Sequence, residues 1–260
     1  MMSQFVFVEK EGRTAIVTID NPPLNVMSQL VVQQLETAYD ELRADQEVTT
    51  IILTGAGDRA FMAGADIKEF PKLIGKQGIK SEIMKTHSAL QKLENIGKPT
   101  IAVLNGLTLG GGCELALTAD IRIAEEHVQI GLPEVKLGLF PGGGGTQRLP
   151  RLVGAAKAKE WMFAGNPVSA QEALQAGLVN HVMPKGEGLE KAKQLAKQFN
   201  RHSLPALSRI KTAVNEGLDE TLTDGLELEA ELFEEVFQTE DIKEGVSAFI
   251  EKRQAVFVHK

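Results

Sequence analysis

The sequence contains almost no cysteine: Cys113 is the only one among 260 residues. No disulfide can form within the chain, so we expect a reducing compartment and assign the protein to the cytoplasm. A lone cysteine could also be a nucleophile. Apolar helix formers flank Cys113, however, and no histidine lies near it in sequence. Buried packing is therefore the preferred interpretation of this thiol.

Basic residues are also not in excess. The chain has 28 Lys and Arg and 35 Asp and Glu, which gives a formal net charge of -7. This balance argues against a nucleic-acid partner, which needs a positive field. The longest uncharged run, residues 99–113, is short and broken by glycines, so no membrane partner is expected. The first residues show neither a basic signal-peptide start nor an Arg/Ser-rich transit pattern, and we expect no targeting segment.

Several catalytic motifs are missing as well. The sequence has no His-x-x-x-His pair and no cysteine cluster, so no metal site is expected. Gly-x-Ser-x-Gly is absent, which argues against a hydrolase with a nucleophile elbow. The glycines at 110–112 and 142–145 neither complete G-x-G-x-x-G nor carry a P-loop lysine. A nucleotide-binding fold therefore has little support.

Strands and helices alternate through the first part of the chain. A hairpin is predicted at residues 5–9 and 13–19, and apolar strands at 50–54, 100–104, 121–124 and 128–131. Ser28 should cap a helix, and a second helix over 79–95 should turn Ile79, Ile83, Leu90 and Leu93 inward. The pattern predicts an α/β fold.

Helices alone follow from residue 188, and the last one is predicted to begin at Asp241 and to carry Phe249, Lys252 and Arg253. We divide the chain near residue 200, into a catalytic core at 1–200 and a helical region at 201–260.

The centre of the functional site is predicted to lie in residues 99–120. An apolar strand ends at Asn105-Gly106, and Gly110 to Gly112 stand where a helix begins. A helix start has unpaired N–H groups, and glycine lets a ligand approach them. Glu114 in the first turn either complements the helix dipole or acts as an acid or base beside an anion-stabilising amide.

Two further segments support the catalytic interpretation of Glu114. Small residues at 63–65 would let the Ala65 N–H face a bound atom, although the same segment can be a tight turn capped by Asp66. Glu134 follows Pro133 at the end of a strand, 20 residues after Glu114. The two glutamates could meet across one pocket, but their spacing alone does not prove it.

In combination these motifs resemble the crotonase, or enoyl-CoA hydratase/isomerase, superfamily. The similarity covers nearly the whole chain and lies in five segments: Ala63 to Lys68, Asn105 to Ala116, Leu132 to Gly138, Pro141 to Leu149 and Ala173 to Val179. The resemblance implies a crotonase-like spiral of repeated ββα units with a C-terminal helical trimerisation region. It also implies an acyl-CoA thioester substrate and a homotrimer or a dimer of trimers.

The resemblance assigns roles to individual residues. The backbone N–H groups of Ala65 and Gly111 would stabilise an enolate oxygen. Two glutamates are typical of the hydratases: Glu114 would deprotonate the water that attacks C3, and Glu134 would protonate C2. Gly142 would be a third contact of this water. The implied reaction is the reversible syn hydration of trans-2-enoyl-CoA in acyl-CoA degradation, and it needs no cofactor because coenzyme A is part of the substrate.

The contacts with coenzyme A are expected on both sides of the Ala65 amide, near the Gly111 amide and Glu134, and at the end of the chain. They are Ala63, Asp66, Ile67, Lys68, Leu109, Pro133, Phe249 and Lys252, with Arg59 as a weaker candidate. Lys68 and Lys252 can equally be solvated surface lysines. The loop at 21–28 has no basic residue, where many hydratases have one.

Three alternatives remain at this stage. An enoyl-CoA isomerase usually manages with one carboxylate, and a dehydratase of a specific 3-hydroxyacyl-CoA runs the same reaction in reverse. A non-catalytic acyl-CoA-binding or RNA-binding relative is the third, and the paired glutamates and the acidic charge argue against it.

Overall fold

The chain begins with an antiparallel hairpin, as the sequence predicts. The computed structural model describes residues 3–260 and places β1 at Val6–Glu11 and β2 at Thr14–Ile19. Helix α1, Gln29–Ala44, follows, and the Ser28 side chain accepts a hydrogen bond from the Val31 N–H. This confirms the predicted cap.

The other strands are divided between two sheets, and most consecutive strands alternate between the two. They are β3 Thr50–Gly55, β4 Ala60–Ala63, β5 Thr100–Leu104, β6 Leu107–Leu109, β7 Ile121–Glu125, β8 Gln129–Gly131, β9 Val168–Ser169 and β10 His181–Met183. One sheet has the order β1-β2-β3-β5-β7-β10 and the other β4-β6-β8-β9. Apart from the hairpin and the β8–β9 pair, neighbouring strands are parallel.

This alternation produces a spiral. From β3 to β8, each turn adds one strand to the first sheet, the next strand to the second sheet, and then a helical segment. The helices after α1 are α2 Ile79–Glu94, α3 Gly111–Ala116, α4 Gly145–Val153, α5 Ala155–Ala164, α6 Ala170–Gln175, α7 Gly188–Phe199, α8 Leu204–Gly217, α9 Leu222–Val236 and α10 Glu240–Glu251. The α/β spiral of ββα units is confirmed.

Apolar side chains cover both faces of the first sheet. On one face, Ala192 and Ala196 of α7 pack against Ile52, Ile101 and their neighbours. The other face belongs to a larger cluster that includes the buried side of α1. Cys113 lies in this larger cluster and is 2 % exposed, so its predicted packing role is confirmed.

Helix α2 differs from the prediction at one position. Leu90 and Leu93 are buried, but Ile83 is 40 % exposed and does not face the core. The buried residues of α2, which also include Ala89, all lie in its second half. A helical repeat in the sequence thus identified the correct face but not how far along the helix the core extends.

The last helices also correct two predictions. Helix α10 begins at Glu240 after the cap residue Thr239, one residue before Asp241. Lys252 is the C-cap, with a left-handed φ of 56°, and Arg253 lies beyond the helix. Within residues 3–260, no helix combines the length and hydropathy that a bilayer crossing requires.

Candidate active site

Glu114 is a buried carboxylate held by two backbone donors. It lies in the first turn of α3 and is 4 % exposed. Its Oε1 accepts hydrogen bonds from the N–H groups of Gly143, at 2.7 Å, and Gly145, at 2.9 Å. These two bonds fix the carboxylate and favour its charged form.

The Glu134 carboxyl lies beside the start of α3, the helix that carries Glu114, and its surroundings differ from those of Glu114. It begins a short 3-10 helix, Glu134–Leu137, directly after Pro133. Its Oε2 is buried and has no hydrogen-bond partner among residues 3–260. Its Oε1 would be 3.1 Å from a Cβ added to Gly110, the residue that precedes α3. The second carboxyl therefore faces the N-terminus of the helix that carries the first.

The pKa values of both carboxyls are raised, for partly different reasons. Burial raises the pKa of Glu134 to about 7; its own backbone N–H opposes this shift and the charge of Glu114 adds to it. Burial also raises the pKa of Glu114, while the N–H groups of Gly145 and Gly143 and then the Arg148 guanidinium lower it. The two carboxyls thus differ in their surroundings: two N–H groups from the glycine loop oppose the effect of burial at Glu114, and none from this loop does so at Glu134.

The structure brings Ala65 and Gly111 together beside these carboxyls. A Cβ added to Gly111 would lie 3.6 Å from the Ala65 nitrogen. Among the described residues, neither N–H has an acceptor. Ala65 is positioned by Met27, whose N–H donates to Gly64 and whose carbonyl accepts from Asp66. Two unpaired N–H groups in one place can bind an oxygen that gains negative charge.

Close backbone contact makes this arrangement possible. Gly110 has a φ of 52°, a conformation that glycine adopts without strain. A Cβ on Gly112 would overlap the carbonyl oxygen of Met62 and lie 2.7 Å from the carbonyl carbon. Helix α3 therefore rests directly on the main chain of β4, which leads to Ala65.

The substrate contacts predicted near the Ala65 amide lie on the segments that lead to and from the amide pair and Glu134. Ala63 ends β4, Leu109 ends β6, and Pro133 precedes the second glutamate. The Asp66 side chain caps the 3-10 helix Ile67–Lys72 by accepting from the Lys68 N–H. The Ile67 and Lys68 side chains are exposed, as is Arg59.

The predicted contacts at the end of the chain are not joined to the site within one subunit. Phe249 is 86 % exposed, and Lys252 is also exposed. Within residues 3–260, neither side chain forms a hydrogen bond or ion pair with the glutamates or the amide loops.

Three residues at the site were not predicted from the sequence. Gly143 and Gly145 donate to Glu114, whereas Gly142, the residue of this loop predicted to contact the attacking water, is exposed. Asn25 was also missed: it is buried with a φ of 53°, and its side chain donates to the carbonyls of Ala56 and Ala60. A run of four glycines marks the loop, but no sequence signal shows which N–H points inward.

Replacing Glu134 with glutamine should change how the free energy of unfolding depends on pH. The folded pKa of about 7 exceeds the ordinary value of 4.5, so the folded state binds more protons between these values. The contribution of Glu134 to stability is therefore full below pH 4.5 and is lost as the pH rises through 7. Glutamine keeps the shape of the protonated acid but does not titrate.

We therefore expect Glu134→Gln to melt at a higher temperature than the wild type at pH 8, with a smaller difference at pH 5. Thermal unfolding followed by circular dichroism at both pH values measures this. Equal differences at pH 5 and pH 8 would contradict a raised pKa.

The chain is similar to known proteins along nearly its whole length. The family model described as "Enoyl-CoA hydratase/isomerase" matches residues 9–260. A short-chain-enoyl-CoA hydratase of Clostridium acetobutylicum is 43% identical over 250 residues, which cover 96% of this chain and 95% of the relative. A crotonyl-CoA hydratase of Syntrophomonas wolfei is 38% identical over 261 residues and is covered completely. The crystal structure of an enoyl-CoA hydratase from Bacillus anthracis superposes with a TM-score of 0.93 at 35% identity, covering 99% of this chain and all of that one.

Proposed function

The chain belongs to the enoyl-CoA hydratase/isomerase family, and on this basis we propose that Glu114 and Glu134 carry out its hydration chemistry. The protein is an enoyl-CoA hydratase, a carbon–oxygen lyase that adds water reversibly to trans-2-enoyl-CoA. One observation carries the assignment of the residues. Two carboxyls lie beside two unpaired amides: Glu114 is buried and accepts two N–H groups on one oxygen, and Glu134 has a buried oxygen without a partner among residues 3–260.

The Ala65 and Gly111 N–H groups hold the thioester carbonyl oxygen. When water adds to C3, the electrons of the double bond move toward the carbonyl, and the oxygen becomes negative. Fixed donors stabilise this enolate more than the neutral thioester, which lowers the barrier.

The two glutamates divide the proton transfers. Glu114 takes one proton of the water as its oxygen bonds to C3, and Glu134 gives its proton to C2, so the product is a 3-hydroxyacyl-CoA. One proton then passes from Glu114 to Glu134, directly or through solvent, and restores the starting state. We assign the Gly142 N–H to a third contact with the attacking water.

Coenzyme A is anionic and the chain has a net charge of -7, so local cations must receive the phosphates. Lys68 suits this role because its side chain is exposed and, among the described residues, forms no ion pair. Ala63, Asp66, Ile67, Leu109 and Pro133 surround the pantetheine and acyl ends in this proposal. No separate cofactor takes part.

We place Phe249 and Lys252 at the adenine end of a neighbouring subunit's substrate, in a homotrimer or dimer of trimers. The helical region 201–260 supports assembly because its helices expose large apolar side chains. They include Ile210, Val214, Leu218, Leu222, Leu226, Phe233, Val246 and Phe249. Light scattering should give the mass of three or six chains, and a monomer would contradict this assignment. We expect the assembly to work in the cytoplasm.

The direct test is loss of the enoyl absorbance when the protein is mixed with crotonyl-CoA. Turnover that yields 3-hydroxybutyryl-CoA supports the proposal. Binding of crotonyl-CoA without turnover would identify a binding module instead, and migration of the double bond without water addition would identify an isomerase.

A further inference from the structure

Arg148 and Glu94 form an ion pair behind the glycine loop. Arg148 lies on α4, and its Nε and Nη2 donate to the two carboxylate oxygens of Glu94 on α2, at 2.9 and 2.6 Å. The side chains of Arg148 and Glu94 are only 13% and 29% exposed. A two-point, partly buried contact of this kind fixes the plane of the guanidinium.

The third nitrogen of Arg148 points to the loop. Its Nη1 donates to the carbonyl of Gly143 at 3.3 Å. A Cβ added to Gly144 would meet Nη1 and lie 3.2 Å from Cζ, so the guanidinium packs directly on the loop backbone. Gly143 thus has two contacts: its carbonyl accepts from Arg148, and its N–H donates to Glu114.

These contacts form a continuous connection from α2 to the catalytic carboxylate. Glu94 fixes Arg148, Arg148 holds the carbonyl of Gly143, and the N–H groups of Gly143 and Gly145 hold Glu114. We propose that Arg148, anchored by Glu94, is a positioning residue that keeps the glycine loop and Glu114 aligned for attack of water on the substrate. This inference rests on the proposed role of Glu114 as the base.

Titratable groups surround this connection on both sides. Burial raises the pKa of Glu114, and the Arg148 guanidinium is among the groups that lower it. Glu134 is the second carboxyl beside Glu114; burial raises its pKa, and the Glu114 charge adds to this shift. On the far side, burial lowers the pKa of Lys211 of α8, which the charges of Asp120 and then Glu94 oppose.

The test compares Arg148→Met, Arg148→Lys and Glu94→Gln with the wild type, using crotonyl-CoA hydration from acid to neutral pH. Arg148→Met should lower kcat by about 10- to 100-fold, because small misplacements of a catalytic group cost this much. KM should change by less than about threefold, since no substrate contact is removed. The acidic limb of kcat/KM should move to higher pH, because Glu114 loses a neighbouring positive charge.

Arg148→Lys separates charge from hydrogen bonding. Lysine keeps the charge but cannot bridge Glu94 and Gly143 together, so kcat should fall while the acidic limb stays closer to that of the wild type. Glu94→Gln should lower kcat by a smaller factor, because its oxygen can still accept one bond. Adding Glu94→Gln to Arg148→Met should cost little more, since the two residues act as one unit.

The matched control is Arg151→Met, one turn further along α4. Arg151 pairs with Asp219 at the surface, where the two side chains are 60% and 66% exposed. Its loss should leave kcat, KM and the pH profile unchanged.

The inference would be overturned if Arg148→Met left both kcat and the acidic limb of kcat/KM unchanged. It would also be overturned if kcat fell while the acidic limb stayed in place. If Arg148→Met does not fold, the test is whether Arg148→Lys and Glu94→Gln lower kcat while KM stays constant. A wild type that does not hydrate crotonyl-CoA would refute the proposed function, whereas an active wild type with unaffected variants refutes only the role of Arg148.

Discussion

Glu114→Gln and Glu134→Gln should each lower the turnover of crotonyl-CoA by about 100-fold or more, the range typical of a lost general base or acid. Glutamine at 114 can still accept from Gly143 and Gly145 through its amide oxygen, so the geometry should persist. It cannot take the proton of water. At 134, glutamine cannot give a proton to C2.

Initial rates of loss of the enoyl absorbance, measured at saturating substrate, check this expectation. Glu126→Gln is the control, because Glu126 is an exposed carboxylate outside the site and its loss should not affect the rate. Near-normal turnover in either site variant would remove that residue from the mechanism. The double variant should lose little more than the worse single one, since the two carboxyls serve one reaction.

Gly112→Ala should destabilise the fold by about 3 kcal/mol or more, because the overlap involves backbone that cannot rotate away. The added methyl would lie 2.7 Å from the carbonyl carbon of Met62 and nearer still to its oxygen. For a chain of this length we expect the melting temperature to fall by about 10 °C.

Gly111→Ala is the matched control for this prediction. Its methyl would meet Met27 Sδ at 3.5 Å and the Ala65 nitrogen at 3.6 Å, which are ordinary contacts. Alanine is also the better helix former, so the melting temperature should stay the same or rise slightly. Equal melting temperatures for the two variants would show that α3 does not depend on close contact with β4.

Local signals in the sequence predicted most of the elements that carry the site. The Ser28 and Asp66 caps, the strand at 100–104 and the helix after Gly110 each follow from neighbouring residues. The proximity of Glu114 and Glu134 does not. It depends on the parallel pairing of β6 with β8, in which Leu109 is the partner of Gly131. The two glutamates follow the ends of these strands. Neither strand's own sequence determines its register with the other.

The same limit explains the errors at other positions. Ile83 continues the apolar repeat of α2 but lies outside the buried part of the helix, which is its second half. The donors to Glu114 are Gly143 and Gly145 because of how the loop turns into α4, and four identical glycines contain no information about that turn. The link from Glu94 to Arg148 joins residues 54 positions apart.

The amide pair and the second glutamate belong to different turns of the spiral. Ala65 and Gly111 follow the paired strands β4 and β6, and Gly112 of α3 packs on Met62 of β4, whereas Glu134 follows β8. Its Oε2 makes no hydrogen bond to the described part of the chain. A substitution at position 134 should therefore leave the contact of Gly112 with Met62, and with it the amide pair, undisturbed. In the proposed mechanism the residue that protonates the enolate is thus separate from the groups that stabilise it, and variants at position 134 should change the fate of the enolate more than its formation.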